Sequence, residues 1–217
     1  MTHEMIDTVD ALLARFVAGT LPEPARVLVA AHLEMKPVNR PLVRDFEAIA
    51  GEVLDGIPPA ALSSRESRLQ AVFSSRDTVA SDSASVVPRP QGALFPPSLR
   101  AFAGFEAEDI PWKTKLPGFR EYDMGTIDGC EVSFFWIRPG RAVPAHTHHG
   151  YELSLVLDGA FNDARGRFGP GDMSVADDSI DHRPVAEKER PCIGFAVMDA
   201  PVKLTGSFRQ LIGDLIG

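Results

Sequence analysis

Apolar side chains in the first third of the chain recur at steps of three and four residues, which places them on one face of a helix. Glycine and proline residues separate this pattern into four amphipathic segments. The predicted helices run from Asp7 to Phe16, from Pro22 to a stop at Pro37, from Pro41 to Leu54 and from Ser63 to Ser74. The side chains expected to pack between them include Leu12, Phe16, Leu28, Phe46 and Leu69. Residues 1–75 are therefore predicted to form a small all-helical module.

The pattern changes after this module. Residues 76–97 are rich in serine and proline and poor in large apolar side chains, which is typical of a linker. Later runs such as Val132–Ile137, Leu153–Leu157 and Ile193–Val197 are rich in β-branched and aromatic residues and are separated by glycine and proline turns. Residues 98–217 are therefore predicted to form an all-β barrel or sandwich, so the whole chain is predicted to be α+β.

Four side chains in the second half have the spacing of a metal site. Because side chains alternate faces along a strand, His146 and His148 project to one side, and Glu152 keeps the even spacing. His182 follows a glycine-rich turn on a predicted return strand and is the fourth expected ligand. Three imidazoles and a carboxylate suit a divalent transition metal such as zinc, iron, manganese, nickel or copper.

The glycines around these ligands complete a recognisable pattern. A lone His-x-His pair is more often structural or exposed than a metal ligand, but here the wider spacing reverses that balance. The pattern is Gly140, five residues, His146-x-His148, three residues, Glu152, six residues and Gly159. It resembles the first motif of the cupin family without a gap.

The second cupin motif is matched more loosely. Gly171-Asp172 and His182 lie at cupin spacing, whereas Asp177 stands where a proline is usual. The resemblance implies a cupin β-barrel, or double-stranded β-helix, over residues 98–217. His149 lies at an odd offset from the ligands and is expected to face away from them.

Nearly the whole chain resembles the ChrR-type cupin anti-sigma factors. The order of domains, the segment Ala18–Leu21 and the segment Cys192–Pro201 carry this resemblance. It implies a helical domain that binds an extracytoplasmic-function sigma factor and a cupin domain that takes part in the response to an oxidative-type signal. The cupin is expected to bind one divalent metal through His146, His148, Glu152 and His182. Zinc is the first expectation, with iron, manganese or nickel as alternatives.

One departure from that family concerns its helical module. The family binds zinc there through an early histidine and a His-x-x-x-Cys-x-x-Cys sequence, and the corresponding positions in this chain are His32, Lys36 and Asn39. A protonated ammonium cannot be a ligand and an amide is a poor zinc ligand. We therefore predict that this module holds no structural zinc, and His3 is left unassigned.

Composition narrows the function further. A net charge of -8 and a pI near 5.2 argue against direct binding to nucleic acid. No apolar run reaches membrane-spanning length and no secretion signal is evident, so a cytoplasmic location is expected. In that compartment Cys130 and Cys192 are expected to be reduced core residues. Cupins commonly pair through sheet edges, which adds a homodimer as a family-level expectation.

Two classes of function therefore compete. The anti-sigma regulator is favoured because the domain order matches that family. The alternative is a metal-dependent cupin enzyme, such as a dioxygenase, isomerase or hydrolase, with an open position on the metal. No catalytic residue is assigned, although Tyr151 and Arg138 are candidate neighbours of the metal for that alternative.

Overall fold

The computed structural model describes residues 9–75 and 93–205, which contain five α-helices. Their bounds are Val9–Val17 (α1), Glu23–Met35 (α2), Arg40–Asp55 (α3), Arg65–Ser74 (α4) and Pro97–Ala103 (α5). The four predicted helices are confirmed within this range, and α5 was not predicted. No helix in the described ranges is both long and apolar enough to cross a membrane.

Helix α2 lies at the centre of the helical part. It is apolar on several sides, with Ala25, Leu28 and Val29 all fully buried. Its neighbours are α1, α5 and the barrel strands β5 (Glu152–Asp158) and β10 (Cys192–Met198). Helices and barrel therefore share one continuous apolar core.

Helices α3 and α4 are much less buried. Val43 is the one buried residue of α3, and α4 buries none of its residues. Several large apolar side chains on and around these helices are exposed: Val38, Ile49, Val53, Leu54, Ile57, Leu62, Val72 and Phe73. The predicted apolar stripes of these two helices are therefore largely left facing outward.

The C-terminal part is built from antiparallel strands. In chain order they are β1 (Lys113–Leu116), β2 (Phe119–Ile127), β3 (Cys130–Ile137), β4 (His146–His148), β5 (Glu152–Asp158), β6 (Phe161–Asp163), β7 (Gly166–Phe168), β8 (Met173–Ala176), β9 (Val185–Ala186), β10 (Cys192–Met198) and β11 (Val202–Leu204). One sheet has the order β1-β2-β3-β10-β5-β8, and two smaller sheets have the orders β11-β4 and β7-β6-β9. Their facing residues enclose a cavity of about 380 Å³. The predicted α+β class is confirmed, with a cupin-like barrel as its second part.

The junction between the two parts is partly described. Phe95, at the end of the predicted linker, is fully buried and stacks on Phe134 of β3 with ring centroids 4.9 Å apart. Residues 76–92 of that linker lie outside the described residues. The division at residues 75 and 98 stays a prediction.

Candidate metal centre

The four predicted ligands meet at one point in the barrel. His146 and His148 alternate with the half-buried Thr147 on β4, so both imidazoles enter the interior. An isolated bridge joins His146 to His182, with two backbone hydrogen bonds of 3.0 Å each. Glu152 stands at the first position of β5.

The side-chain atoms of this cluster are close enough to share one ion. The Nε2 atom of His182 lies 2.9 Å from that of His146 and 3.2 Å from that of His148. The Oε2 atom of Glu152 lies 3.6 Å from His146 Nε2 and 3.3 Å from His148 Nε2. One ligand atom from each of the four residues lies within 4.8 Å of every other.

A surrounding layer of polar groups orients these side chains. The His146 Nδ1–H group donates to the carbonyl oxygen of Pro144 at 2.8 Å, which turns the Nε2 lone pair inward. Ser154 donates to the other oxygen of Glu152, Oε1, at 2.7 Å. Sequence reasoning missed both partners, because neither belongs to the motif pattern.

His182 is held by a partly buried ion pair that the sequence also did not predict. Its Nδ1 atom lies 3.3 Å from Asp163 Oδ2 and 3.0 Å from Arg165 Nη2, and these two side chains are 2.6 Å apart. Donation from Nδ1–H to Asp163 leaves Nε2 free to bind a cation. Asp163 and Arg165 are two residues apart at the β6–β7 turn, and only the folded hairpin brings them beside His182.

The electrostatics of the cluster favour a carboxylate at Glu152 and neutral imidazoles at His148 and His182. Burial would raise the pKa of Glu152, but the hydrogen bond with His146 and the charges of the nearby histidines lower that pKa to about 2. Burial lowers the pKa of His182 to about 4 and also lowers that of His148. For His146 burial is outweighed by Glu152, which raises the pKa of the imidazole.

This arrangement fits a transition metal. The Nε2 atoms of His146 and His148 lie 2.9 and 3.2 Å from Nε2 of His182, so the three lone pairs point at one another unless protons or a cation lie between them. Nitrogen and carboxylate donors match the ligands of zinc and related metals, and the hydrogen-bonded outer layer is typical of such sites. A metal bound here would act as a Lewis acid at the floor of the cavity.

Other residues singled out in the sequence lie away from this cluster. His149 is exposed, as its offset predicts. Tyr151 contacts the thiol of Cys130 at 3.7 Å, and Arg138 is exposed, so the expectation that they neighbour the metal is wrong. Asp177 accepts hydrogen bonds from the backbone and hydroxyl of Ser179, which shape the turn where the motif usually has proline.

The three positions at which the family has zinc ligands make a different set of contacts. The buried His32 donates from Nδ1–H to the carbonyl oxygen of Gly171 at 2.6 Å and accepts from Asn39 Nδ2 at 2.9 Å. Lys36 pairs with Asp172 at 2.5 Å. These groups connect α2 to the cupin turn before β8, and His3 lies outside the described residues.

Comparison with known proteins agrees with this architecture. The barrel and its His/Glu cluster define a protein of the cupin class, and the family described as "ChrR Cupin-like domain" matches residues 101–200. The anti-sigma-E factor ChrR of Cereibacter sphaeroides is 36% identical over 203 residues, covering 94% of this chain and 93% of the relative. The chain therefore belongs to the ChrR family.

A solved structure extends the match to three dimensions. The structure of Rhodobacter sphaeroides SigE in complex with the anti-sigma ChrR aligns with a TM-score of 0.73 and 36% identity. The alignment covers 88% of this chain and 97% of that chain. Helical module and barrel thus occur together in both proteins.

Proposed function

We propose that this chain is a metal-binding cupin anti-sigma factor that sequesters an extracytoplasmic-function sigma factor and releases it on an oxidative-type signal sensed at the cupin. The observation that carries the proposal is the match, over nearly the full length, to a relative that was solved bound to its sigma factor. Because sigma factors work with RNA polymerase, the proposed site of action is the cytoplasm.

The α3–α4 surface is the proposed docking site. We define it by the exposed apolar residues Ile49 and Val53 on α3 and Val72 and Phe73 on α4. Phe73 is 83% exposed, and several large apolar side chains exposed on two consecutive helices are typical of a protein interaction surface. A sigma factor that covers it would remove this apolar area from water.

Co-purification tests the docking surface. A tagged form of the full chain is co-expressed with extracytoplasmic-function sigma factors from its own source. The double variant Ile49→Asp, Phe73→Asp should capture at least about tenfold less sigma factor than the native chain, because two charges would be buried in the interface. Ala101→Asp, on the exposed side of α5, is the matched control and should retain it. Equal capture by both variants would contradict the proposed surface.

For the cupin we propose one divalent metal bound by His146, His148, Glu152 and His182, with zinc as the native ion. The convergence of the four donor atoms and the outer hydrogen bonds to Pro144 and Asp163 support this assignment. A change at this ion can act on sigma binding only if the signal has different affinities for the bound and released forms.

Elemental analysis tests the ligand set. His146→Ala and His182→Ala should each lose most of the metal of protein purified from its own source without added metal, because one of four donors is removed. His149→Ala removes an exposed imidazole and should keep it. Unchanged metal in the first two variants would refute the assignment, and another element at full occupancy would replace zinc.

The enzyme alternative has one observation in its favour, the cavity beside the cluster. Among the described residues that line this cavity, Glu121 is the one ionisable residue outside the His/Glu cluster, and it is paired with Lys115 at 3.0 Å. The cavity therefore offers a binding site with few groups for acid–base chemistry. Metal-dependent oxygen consumption with a small organic substrate would reverse this preference.

A further inference from the structure

The cavity in the barrel has apolar walls and a polar floor. Its volume of about 380 Å³ lies in the range of small-molecule sites. The walls come from all three sheets and include Phe119, Phe135 and Phe161, and the side chains of Val202 and Leu204 are half-exposed near the opening. His146, Glu152 and His182 form the floor.

Three small side chains create this space. Ser133, Ala196 and Ser154 stand side by side on β3, β10 and β5, as the strand register shows. Neighbours on the same face, such as Phe135, are large. A sheet that only had to fill its interior would place large apolar groups at the central positions, as packed barrels do.

Two serine side chains add polar groups to the cavity wall. Ser133 is 5% exposed and Ser154 is 3% exposed, and both line the cavity. Ser154 donates to Glu152, whereas Ser133 offers its hydroxyl to the cavity farther along the sheet, on β3.

Charge selects the class of ligand. A divalent ion with one carboxylate ligand, Glu152, leaves one net positive charge at the floor of an apolar cavity. A monoanionic head group would neutralise this charge, whereas a cation would be repelled. A sugar or another polyhydroxy ligand would leave hydroxyls unpaired against the aromatic walls.

We propose that this cavity binds a medium-chain carboxylic acid, with the carboxylate at the His/Glu cluster and the hydrocarbon chain along the apolar walls. The proposal rests on the metal site proposed above. It does not depend on the sigma factor, so binding can be measured with the full chain alone.

Calorimetric titration of the metal-loaded full chain with decanoate tests the proposal. One molecule of decanoate should bind per chain. Acetate should bind at least about 100-fold more weakly, because each buried methylene group increases the affinity about fourfold. Decanol keeps the chain without the charge and should bind at least about tenfold more weakly. Removing the metal should weaken the binding of decanoate by a similar factor.

Cavity variants separate this site from the exposed apolar surface of the helices. Ala196→Phe, which fills the centre of the cavity, should reduce decanoate affinity at least about tenfold, and the smaller Ala196→Val should reduce it by a lesser factor. Ala101→Phe adds the same ring at an exposed position and should bind as the native chain does. Metal content and thermal unfolding are measured for each variant, so a folding defect in Ala196→Phe leaves Ala196→Val as the test.

Each outcome decides a different point. Metal-loaded protein that fails to bind decanoate overturns this proposal and leaves the metal site standing. Binding that is unchanged in both Ala196 variants, or equal for decanol and decanoate, shows a non-specific surface effect and also overturns it. A native chain that retains no metal refutes the metal site, and the head-group argument fails with it.

Discussion

Replacing His32 tests whether α2 depends on the cupin turn. His32 is 4% exposed, and its ring makes one hydrogen bond to Gly171 and one with Asn39. The neighbouring Lys36–Asp172 ion pair is much more accessible, with side chains 40% and 31% exposed. Two polar contacts between the same elements therefore differ sharply in burial, and the energies of losing them should differ in the same way.

The expected energies follow from that difference. His32→Leu removes two hydrogen bonds, each worth about 1 kcal/mol net, and leaves the Gly171 carbonyl without its donor, so the free energy of unfolding should fall by about 2–4 kcal/mol. Lys36→Met removes a solvent-screened ion pair and should cost about 0–1 kcal/mol. For a chain of this size the first loss corresponds to a melting temperature lower by roughly 5–15 °C.

Urea unfolding of the full chain, followed by tryptophan fluorescence, measures both values, and a thermal melt provides an independent check. Lys36→Met is the matched control, because it removes a contact to the same turn from the residue that directly follows α2. If His32→Leu cost no more than Lys36→Met, the buried histidine would not be a stabilising link and this reasoning would be refuted.

Three further outcomes are expected. The native full chain should hold one metal ion per chain, and His32→Leu should retain that ion. If the native chain held two metal ions and His32→Leu lost one of them, the helical module would contain zinc. Burial raises the pKa of Cys130 and raises that of Cys192 to about 12, so both thiols should react slowly with a disulfide reagent near pH 8 until the chain is unfolded; fast native reaction would contradict this. Gly159→Ala should lower the free energy of unfolding by about 2–4 kcal/mol, because φ is +68° and the added Cβ would overlap the Pro191 carbonyl. Gly19→Ala, at φ +67° but with open space around the added Cβ, should cost about 1–2 kcal/mol. Equal losses in the two variants would refute the steric argument.

Local pattern predicted much of this structure because the signals were local. Four helices and the strand alternation of His146 and His148 depend on neighbours within a few residues, and the cupin spacing added Glu152 and His182. Short elements lacked such a signal. Helix α5 has seven residues, beginning at Pro97 after Pro96 and ending before Gly104. Its place is set by burial of Leu99 against α2.

The polar layer around the site could not be predicted for a different reason. Asp163 and Arg165 reach His182 because β6 and β7 form a hairpin beside the bridge between His146 and His182. That proximity is a property of the tertiary fold, and nothing in the sequence around Asp163 indicates it. The cavity has the same origin, since Ser133, Ala196 and Ser154 are far apart in the chain and adjacent only across three strands.

The helical module of this chain depends on the barrel in a way that a zinc-bound module need not. With Lys36 and Asn39 at the positions of the family's cysteines, His32 and Lys36 make their polar contacts with Gly171 and Asp172, which belong to the cupin. Both turn residues also exchange backbone hydrogen bonds with Val156 of β5, the strand that begins at Glu152. Contiguity of this kind does not by itself prove coupling. It does mean that a helical fragment cut away from the barrel would lose the partners of His32 and Lys36, so its stability cannot be inferred from that of the full chain.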